Sequence, residues 1–429
     1  MKSLVAVLRK TRDLRGWQLS RLRKRSTEIF CVRDEIETVR CNLVNNYALR
    51  LQTPVTSGDA ALMGESTTRF QGRPDSLPQL VQATGERARL VRNPAYNFPA
   101  KRIDGGDDSN ILDAAISEAT LDAATDYVHR VQNFHKHNLA SFPLNSLEIF
   151  LEDFDFAIEN NHGLQVESNS TRVLCDYVLT SPDNRHEIMG IKKRRFLRDL
   201  DLEEQLEQDA AVLSDLERAV LPPTGEYPVV LAGDALDNLF DFFVAQLDGH
   251  ALFNRYSIFQ NGDAVLREPR EDLTILSQPD RRGGMRSYRF DELGFATASV
   301  MLIENSRVKN FLVDGRYADL LKIPRTSALM NIEVACGMTP YADFLADGVL
   351  ELSKFSTFQP NTISGAFSGE IRLGYLHKNG KRIPVKGGSV SGSTQTAFAN
   401  AFKSREATQR AAYFGPKGVL FQNLTVAGD

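Results

Sequence analysis

The sequence predicts an α+β protein, with an N-terminal α/β-type domain of strand hairpins and helices and a C-terminal domain dominated by antiparallel β-sheet. Three observations support this fold class. Strand-like runs joined by turn residues occur in both parts of the chain, and amphipathic helical segments lie between them. The length of 429 residues exceeds that of one ordinary core. Because the helix-stopping pair Pro222-Pro223 is followed closely by a glycine, we predict domains at residues 1–221 and 222–429.

The N-terminal domain is predicted to begin with β-hairpins. The runs TEIFCV and IETVRCNL are rich in β-branched and apolar residues, and the turn-prone Arg33-Asp34-Glu35 separates them. The segment YALRLQ alternates apolar and polar side chains with the period of two that is typical of a strand. The run STTRF is expected to add one more short strand.

Two long helices are predicted in the same domain. Residues 111–134 carry apolar side chains at helical spacing, and Asn110 is positioned to cap this helix. Residues 199–220 repeat leucine and alanine every three or four positions until Pro222 stops the helix. Acidic residues follow the basic run at 192–195 at once, which favours a solvated face over a nucleic-acid site.

The C-terminal domain is predicted to begin with a strand and a helix. The strand covers residues 228–231, Gly233-Asp234 caps the helix, and Gly249 is placed to end it. A further short helix is expected at residues 341–347.

The remainder of this domain is predicted to consist of hairpins. One turns at residues 304–306, and another turns at Asn379-Gly380, a dipeptide typical of two-residue hairpin loops. The segment GGSVSGSTQT is interpreted as a strand edge followed by a loop.

Composition excludes several functional classes. The chain has 51 Lys and Arg against 55 Asp and Glu, so it has no general basic surface for nucleic acid. It contains no apolar run of membrane-spanning length, and its first residues are too rich in basic side chains for a signal peptide. The four cysteines form no paired motif. We therefore expect a soluble, cytoplasmic protein with reduced thiols, and neither nucleic acid nor membrane as partner.

Motifs of common catalytic and metal sites are missing from the sequence. There is no HExxH pair, no GxxxxGK[ST] loop, no GxGxxG after a strand and no GxSxG elbow. The cluster His129, His135 and His137 has two interpretations: on a strand the last two imidazoles share a face, whereas on a helix the three scatter. A structural role for them is favoured over metal binding or a hydrolytic centre.

The C-terminal half resembles the TldD/PmbA family in five segments that follow the order found in that family. They are TGEYPVVLAGDAL, YSIFQNG, the stretch from FDELGF to DGRYADLL, the stretch from SGAFSGE to GGSVSGS, and NLTVAGD at the end. The resemblance covers about the last 200 residues well. It implies a chain from a system of two related subunits.

The resemblance also implies which of the two subunits this is. TldD-type chains carry HExxxH on the helix after the GEYPVVL strand, and a CGK motif near the end completes their zinc site. Here that helix reads DALDNLFDFFVAQLDGH, with no histidine before His250, and Gly415-Pro416-Lys417 stands near the CGK position. The chain is therefore identified as TldE (PmbA)-type, with no catalytic residue, metal ligand or cofactor of its own.

By the same resemblance, the partner is a TldD-like subunit that contains HExxxH and zinc. The pair is expected to form a peptidase for unfolded or modified short peptides, in which this chain helps to enclose the active chamber. Candidate peptide-docking residues are Asp291, Glu292, Ser364, Gly365, Phe367 and Ser368. The alternative hypothesis is a self-associating, peptide-binding scaffold without a catalytic partner.

Overall fold

The computed structural model describes residues 1–55, 62–100, 108–118 and 121–429. In these residues the chain has the predicted α+β fold, with extensive sheets and helices packed on them. Of the helices in the described part of the chain, none is both long enough and apolar enough to span a membrane.

The N-terminal sheet is antiparallel throughout, as expected for a sheet built from hairpins. Its strands are β1 (Gly16–Val32), β2 (Glu35–Pro54), β3 (Leu62–Gln71), β4 (Asn93–Pro94), β5 (Leu144–Asn160), β6 (Gln165–Thr180) and β7 (Glu187–Arg194). They lie side by side in the order β4-β3-β2-β1-β5-β6-β7. The strand β7 therefore forms one edge.

Helices pack on this sheet in two groups. They are α1 (Lys2–Lys10), α2 (Leu77–Arg89), α3 (Ala114–Ser117), α4 (Leu121–Asn138) and α5 (Leu202–Leu216), with a 3₁₀ turn at Leu197–Asp199. One hydrophobic cluster joins α4 and α5 to β1, β5 and β6, and another joins α1 and α2 to β1 and β2. Burial of these apolar faces is what holds the helices on the sheet.

The hairpin prediction for this domain is confirmed, and its details change. The strand β2 continues without a break through YALRLQ, so this segment is the second half of β2 and not a separate strand.

The prediction that Asn110 caps the helix after it is wrong. The Asp113 side chain caps α3 by accepting from the N–H of Ala115, whereas the Asn110 amide donates to the carbonyl of Asp280. Asp113 directly precedes the first helical turn, so its side chain occupies the capping position.

The C-terminal domain contains two sheets around a central helix. Its strands are β8 (Gly225–Ala232), β9 (Ile275–Gln278), β10 (Val300–Glu304), β11 (Arg307–Val308), β12 (Asn331–Val334), β13 (Leu350–Phe358), β14 (Ala366–Lys378), β15 (Lys381–Val385), β16 (Ser389–Ser393), β17 (Ala401–Lys403), β18 (Ala407–Arg410), β19 (Tyr413–Pro416) and β20 (Gly418–Ala427). Its helices are α6 (Asp234–Gln246), α7 (Gly249–Phe253), α8 (Gly315–Leu321) and α9 (Thr394–Ala399), with a 3₁₀ turn at Tyr341–Phe344.

One of these sheets closes on itself. The order β13-β8-β20-β16-β14 is completed by pairing of β14 with β13, while β15 extends from β14 and β17 from β20. The other sheet has the order β11-β10-β9-β12-β19-β18. Most pairings are antiparallel, as predicted, but β8–β13 and β12–β19 are parallel.

The helix α6 buries a broad apolar face, because its apolar residues pack against both sheets in one core, whereas Asp234 and Asp241 on the opposite face are exposed. Its aromatic residues make the densest contacts: Phe243 and Phe240 pack on Phe398, and Phe240 also stacks on Tyr413. Its polar residues Asp234, Asp237, Asn238 and Asp241 recur at helical spacing on the other side, so the helix is amphipathic, as the one-sided apolar pattern of the sequence indicates.

Two predictions for the C-terminal domain are corrected and two are confirmed. The residue Gly249 does not end α6; it begins α7, which the Asp248 side chain caps. The strand β16, within GGSVSGSTQT, is not at an edge, because it pairs with both β14 and β20. Both hairpins form as predicted, and Asn379 and Gly380 adopt φ values of 53° and 68°, as a two-residue turn requires.

A loop of the C-terminal domain, residues 281–297, docks on the N-terminal sheet. The Arg195 side chain, 2% exposed, donates to the backbone carbonyls of Thr171, Gly284 and Met285 at 2.9 to 3.4 Å. The first carbonyl belongs to β6 and the other two to the loop, so one guanidinium joins the domains.

The division of the chain between residues 221 and 222 stays a prediction. The last strand of the N-terminal sheet ends at Arg194, and the first strand of the C-terminal sheets begins at Gly225.

We predict that Arg195→Met destabilises the protein by about 3 kcal/mol, because three buried carbonyls lose their donor. The control is Arg198→Met, since that side chain is 71% exposed and should change stability by less than about 0.5 kcal/mol. Urea unfolding followed by tryptophan fluorescence and circular dichroism measures both. Equal stabilities for the two variants would contradict the role given to Arg195.

Candidate functional site

A cleft of about 700 Å³ lies between the two domains. One wall is the N-terminal sheet, and the other consists of the docked loop, the start of α8 and residues 328–330. Its N-terminal lining is Leu22, Arg50, Phe154, Phe156, Ser168, Ser170, Arg172 and Arg195. The cleft thus combines aromatic and aliphatic surface with several guanidinium groups, a composition suited to holding a small polar ligand or a peptide segment.

Two of the arginines that line the cleft are neutralised by carboxylates. The Arg172 side chain pairs with Glu152 at 2.5 Å. The Arg289 side chain binds both oxygens of Asp108, at 2.8 and 3.2 Å. These pairs hold the walls of the cleft in place rather than offering a free charge to a ligand.

The arginines at the other end of the cleft contact a tyrosine instead. The Arg50 Nη1 lies 3.4 Å from the Tyr96 hydroxyl, and the Arg316 guanidinium lies over the Tyr96 ring, 5.4 Å from its centroid. In the described residues, neither guanidinium has a carboxylate within 4 Å, and the buried Nε of Arg316 has no hydrogen-bond partner. This end of the cleft therefore presents two unneutralised cations.

The candidate Asp291 lines the cleft but is engaged with its own backbone. Its Oδ1 accepts from the N–H groups of Leu293 and Phe295, both at 2.9 Å. Gly294 in this turn has a φ of 88°, and a Cβ there would lie 2.3 Å from the Leu164 side chain. Burial raises the pKa of Asp291 to about 6, although the two N–H donors lower it. The residue shapes the docked loop.

The other candidate docking residues fall in two places. Glu292 is exposed at the cleft, where its backbone carbonyl accepts from the Gln18 amide. Outside the cleft, near the start of β14, lie Ser364, Gly365, Phe367 and Ser368. Phe367 is buried in the domain core. The structure therefore does not bring the six residues into one site, and contact of any of them with a peptide stays a prediction.

A second, smaller groove of about 490 Å³ adjoins the cleft, since Arg286 and Leu329 line both. The C-terminal part of α6, His250 and Thr362-Ile363 form the rest of its lining. Ser364 follows Ile363 directly in the chain, so this candidate lies next to the smaller groove and not in the cleft.

The helix α6 meets β18 and β19 through an ion pair and an aromatic stack. Asp237 accepts from the Arg410 guanidinium at 2.5 and 3.1 Å. One turn further along α6, Phe240 stacks on Tyr413, with centroids 5.7 Å apart. Burial raises the pKa of Asp237 to about 6, against the effect of Arg410.

A zinc ion does not fit these residues. Both oxygens of Asp237 are taken by Arg410, and the neighbouring position on α6 is an aromatic hydrocarbon, whereas zinc sites in proteins use several His, Cys or carboxylate ligands. Across the described residues, no three or more His, Cys, Asp or Glu side chains are grouped so that they could hold a metal.

The histidine cluster lies on α4, so the strand interpretation is wrong. The buried His135 places Nε2 2.7 Å from the carbonyl of Phe142, just past the end of the helix. His137 points outward, with Nδ1 2.7 Å from the carbonyl of Asn133. The rings diverge as helical geometry requires. The contact of His135 supports a structural role.

Comparison with known proteins identifies the C-terminal part. Residues 224–428 match the model of the PmbA/TldA metallopeptidase C-terminal domain. The C-terminal domain is a PmbA/TldD-family domain. An uncharacterised protein of Methanocaldococcus jannaschii is 27% identical over 161 residues, which are 35% of this chain and 39% of that protein. The match thus spans about two fifths of that relative.

Solved structures share the fold along the whole chain, including the domain before the PmbA/TldD domain. A proposed modulator of DNA gyrase from Thermotoga maritima has 19% identity and a TM-score of 0.80, with 99% of both chains covered. TldE from Thermococcus kodakarensis has 16% identity and a TM-score of 0.78, covering 100% of this chain and 99% of that one. A proposed modulator of DNA gyrase from Bacteroides thetaiotaomicron has 15% identity and a TM-score of 0.80, covering 100% and 98%.

Sequence reasoning missed the arginines of the cleft. Arg50 and Arg316 are about 270 positions apart, and neither is in a recognisable motif. A signal does exist for the docked loop: RRGGMRSYRF interleaves arginine with aromatic residues and glycine. Four arginines in ten residues of a chain with a net charge of −4 indicate a local role for that loop.

We predict that Gly294→Ala destabilises the protein by about 3 kcal/mol, because the new methyl group adds overlap with Leu164 to backbone strain. Gly262→Ala is the matched control. Its φ is 87°, and nothing lies within 4 Å of its Cβ position, so it reports the strain alone, about 1 kcal/mol. Denaturation midpoints compare the two, and Leu164→Ala should restore part of the loss in the Gly294 variant. Equal losses would contradict the steric account.

We predict that Asp291→Asn changes the pH dependence of stability, because the amide oxygen still accepts both N–H bonds but cannot ionise. The pKa of the Asp291 carboxyl, about 6, is raised above its ordinary 3.8, so its contribution is full below pH 3.8 and is lost as pH rises through 6. Relative to the variant, the wild-type protein should lose about 1 to 2 kcal/mol between pH 4 and 7.5.

The control for this experiment is Asp183→Asn. Hydrogen bonds from Ser181 and the N–H of Arg185 lower the pKa of this exposed carboxyl, so its slope with pH should have the opposite sign. Urea unfolding at pH 4, 5, 6 and 7.5 measures the differences. Parallel curves for wild type and Asp291→Asn would show that Asp291 does not titrate in this range.

Proposed function

We propose that this chain is the non-catalytic, zinc-less subunit of a TldD/TldE-type heteromeric metallopeptidase. Its partner is a TldD-like subunit with HExxxH and the zinc ion. Together they degrade or trim unfolded or modified short peptides, for example by removing a leader peptide. This chain helps to enclose the active chamber, and the partner performs the hydrolysis.

The contact of α6 with the C-terminal strands carries this proposal. By resemblance, relatives with catalytic zinc hold it with histidines of this helix and a cysteine near the chain end. Here the same helix presents Asp237, held by Arg410, and Phe240, stacked on Tyr413. A catalytic zinc needs protein ligands and an open position for water. An occupied ion pair and an aromatic stack leave neither.

The interdomain cleft supports the enclosing role. It is open enough to admit an extended chain, and its mixed aromatic and polar lining can hold peptides with little sequence selectivity. The size of the cleft supports an unfolded substrate, because a folded domain is far larger than about 700 Å³. As part of the proposal, the complex acts in the cytoplasm, consistent with four unpaired cysteines.

Co-expression with an HExxxH relative from the same genome tests this function. Alone, the chain should contain less than about 0.1 zinc per molecule and cleave no fluorogenic peptide; a stable complex with the relative should contain one zinc and cleave it. A relative with Gln in place of the HExxxH glutamate is the control, since it should bind zinc and this chain without cleaving. One tightly bound zinc in the isolated chain would refute the proposal.

A specific surface favours the alternative, a self-associating peptide-binding scaffold. The edge strand β7 exposes Met189 and Ile191, at 67% and 60%. Edge strands with apolar side chains pair readily with another strand. Light scattering distinguishes the two functions: a stable homodimer that ignores the HExxxH relative, and that Met189→Lys makes monomeric, would favour the scaffold.

A further inference from the structure

We propose that the interdomain cleft binds a peptide carboxylate between Arg50 and Arg316. The assignment of the ligand as a peptide rests on the proposed function, whereas the choice of a carboxylate rests on the charges of the cleft. The carboxylate belongs either to the C terminus of the peptide or to an Asp or Glu side chain. The two sources share the same chemistry.

The two guanidinium groups come together through Tyr96. This tyrosine, 1% exposed, receives the Arg50 contact at its hydroxyl and the Arg316 contact on its ring. The Arg316 guanidinium also lies over the Tyr317 ring, 5.8 Å from its centroid. Aromatic contacts hold a guanidinium in place without consuming its hydrogen-bond donors. The donors of Arg316 are thereby left for a ligand, and Arg50, which gives one N–H to the Tyr96 hydroxyl, keeps its others.

The unpartnered Nε of Arg316 points to an acceptor that is missing from the described residues. This atom is buried, and a buried donor without a partner is unfavourable by about 1 to 3 kcal/mol. Nearly all buried polar groups in proteins are paired. A carboxylate is the acceptor best matched to a guanidinium, because its two oxygens fit two parallel N–H donors.

The carboxylates that surround these arginines do not neutralise them. Glu65 accepts from the Tyr96 hydroxyl at 2.5 Å, and Asp314 accepts from the N–H of Tyr317 at the start of α8. Asp291 is bound by two backbone N–H groups. Glu292 is exposed at the rim. None of these acids lies within 4 Å of either guanidinium in the described residues.

The same acids argue for a peptide over nucleic acid. A polyanion would bring several phosphates against Asp291, Glu292 and Asp314, whereas a peptide brings one carboxylate and apolar side chains. Such side chains have a matching surface in Phe154 and Phe156 on the opposite wall. The net charge of −4 also opposes general binding of nucleic acid.

Fluorescence anisotropy with the isolated full-length chain tests the proposal. The probes are fluorescein-labelled Leu-Phe-Ala-Ala with a free C terminus, the same peptide as its C-terminal amide, and an amide in which glutamate replaces the third residue. At least one carboxylate peptide should bind about tenfold tighter than the plain amide, and the better one identifies the source. Its affinity should fall as salt rises.

Variants assign the binding to the two arginines. Arg50→Gln and Arg316→Gln should each weaken the carboxylate peptide about tenfold and leave the plain amide unchanged. Arg316→Lys keeps the charge but loses the forked donors, so it should weaken the carboxylate peptide by an intermediate factor, about threefold to fivefold. Arg307→Gln, on the exposed β10–β11 hairpin, is the matched control and should have no effect. If a Gln variant unfolds, the proposal is still tested by the affinities of the wild-type chain for the three peptides and by the Arg316→Lys variant.

Three results would overturn the proposal: equal affinity for all three peptides, no effect of either Gln variant, or tighter binding of a thymidine oligonucleotide that the Gln variants abolish. The assay uses neither zinc nor a partner subunit. Failure of partner-dependent cleavage would therefore leave a positive binding result standing. Equally, loss of carboxylate selectivity would leave the proposed subunit role intact.

Discussion

The buried guanidinium of Arg195 is the contact on which the arrangement of the two domains depends. It is a charge with no carboxylate within 4 Å in the described residues, and three backbone carbonyls from two domains satisfy it. Since a buried charge must keep its partners, the loop at residues 281–297 is fixed on the N-terminal sheet. The cleft has walls from both domains, so its shape depends on this docking contact together with the Arg289–Asp108 pair.

The central helix α6 supports both sheets of the C-terminal domain through apolar packing and one ion pair. Its buried face packs in an aliphatic and aromatic core, and its acidic Asp237 is paired with Arg410. The pair satisfies two charges that would otherwise be buried alone. Hydrocarbon and an internal ion pair fill the contact of α6 with β18 and β19, which makes the helix a structural support there.

Charge in the cleft is divided between groups that build it and groups that remain available. Asp291 and Asp314 are bound by backbone N–H groups, and Arg172 and Arg289 by carboxylates. Once these pairs are counted, the positive charge of Arg50 remains without a carboxylate partner in the described residues. The division has a physical origin, because tight turns and helix starts need side-chain acceptors, whereas an aromatic platform holds a cation without neutralising it.

The sequence by itself determined the fold class, the two Asn-centred hairpins of the C-terminal domain and the resemblance of its last 200 residues, because turn chemistry and side-chain periodicity act over a few residues. It named Asp291 and Glu292 as peptide-docking candidates, without revealing that Asp291 accepts from two backbone N–H groups. Tertiary structure alone decided the closed ring of β13, β8, β20, β16 and β14, the packing of α6 against both sheets and the meeting of Arg50 with Arg316 at Tyr96. These features join residues far apart in the chain, and no local pattern records which distant surfaces will share a core.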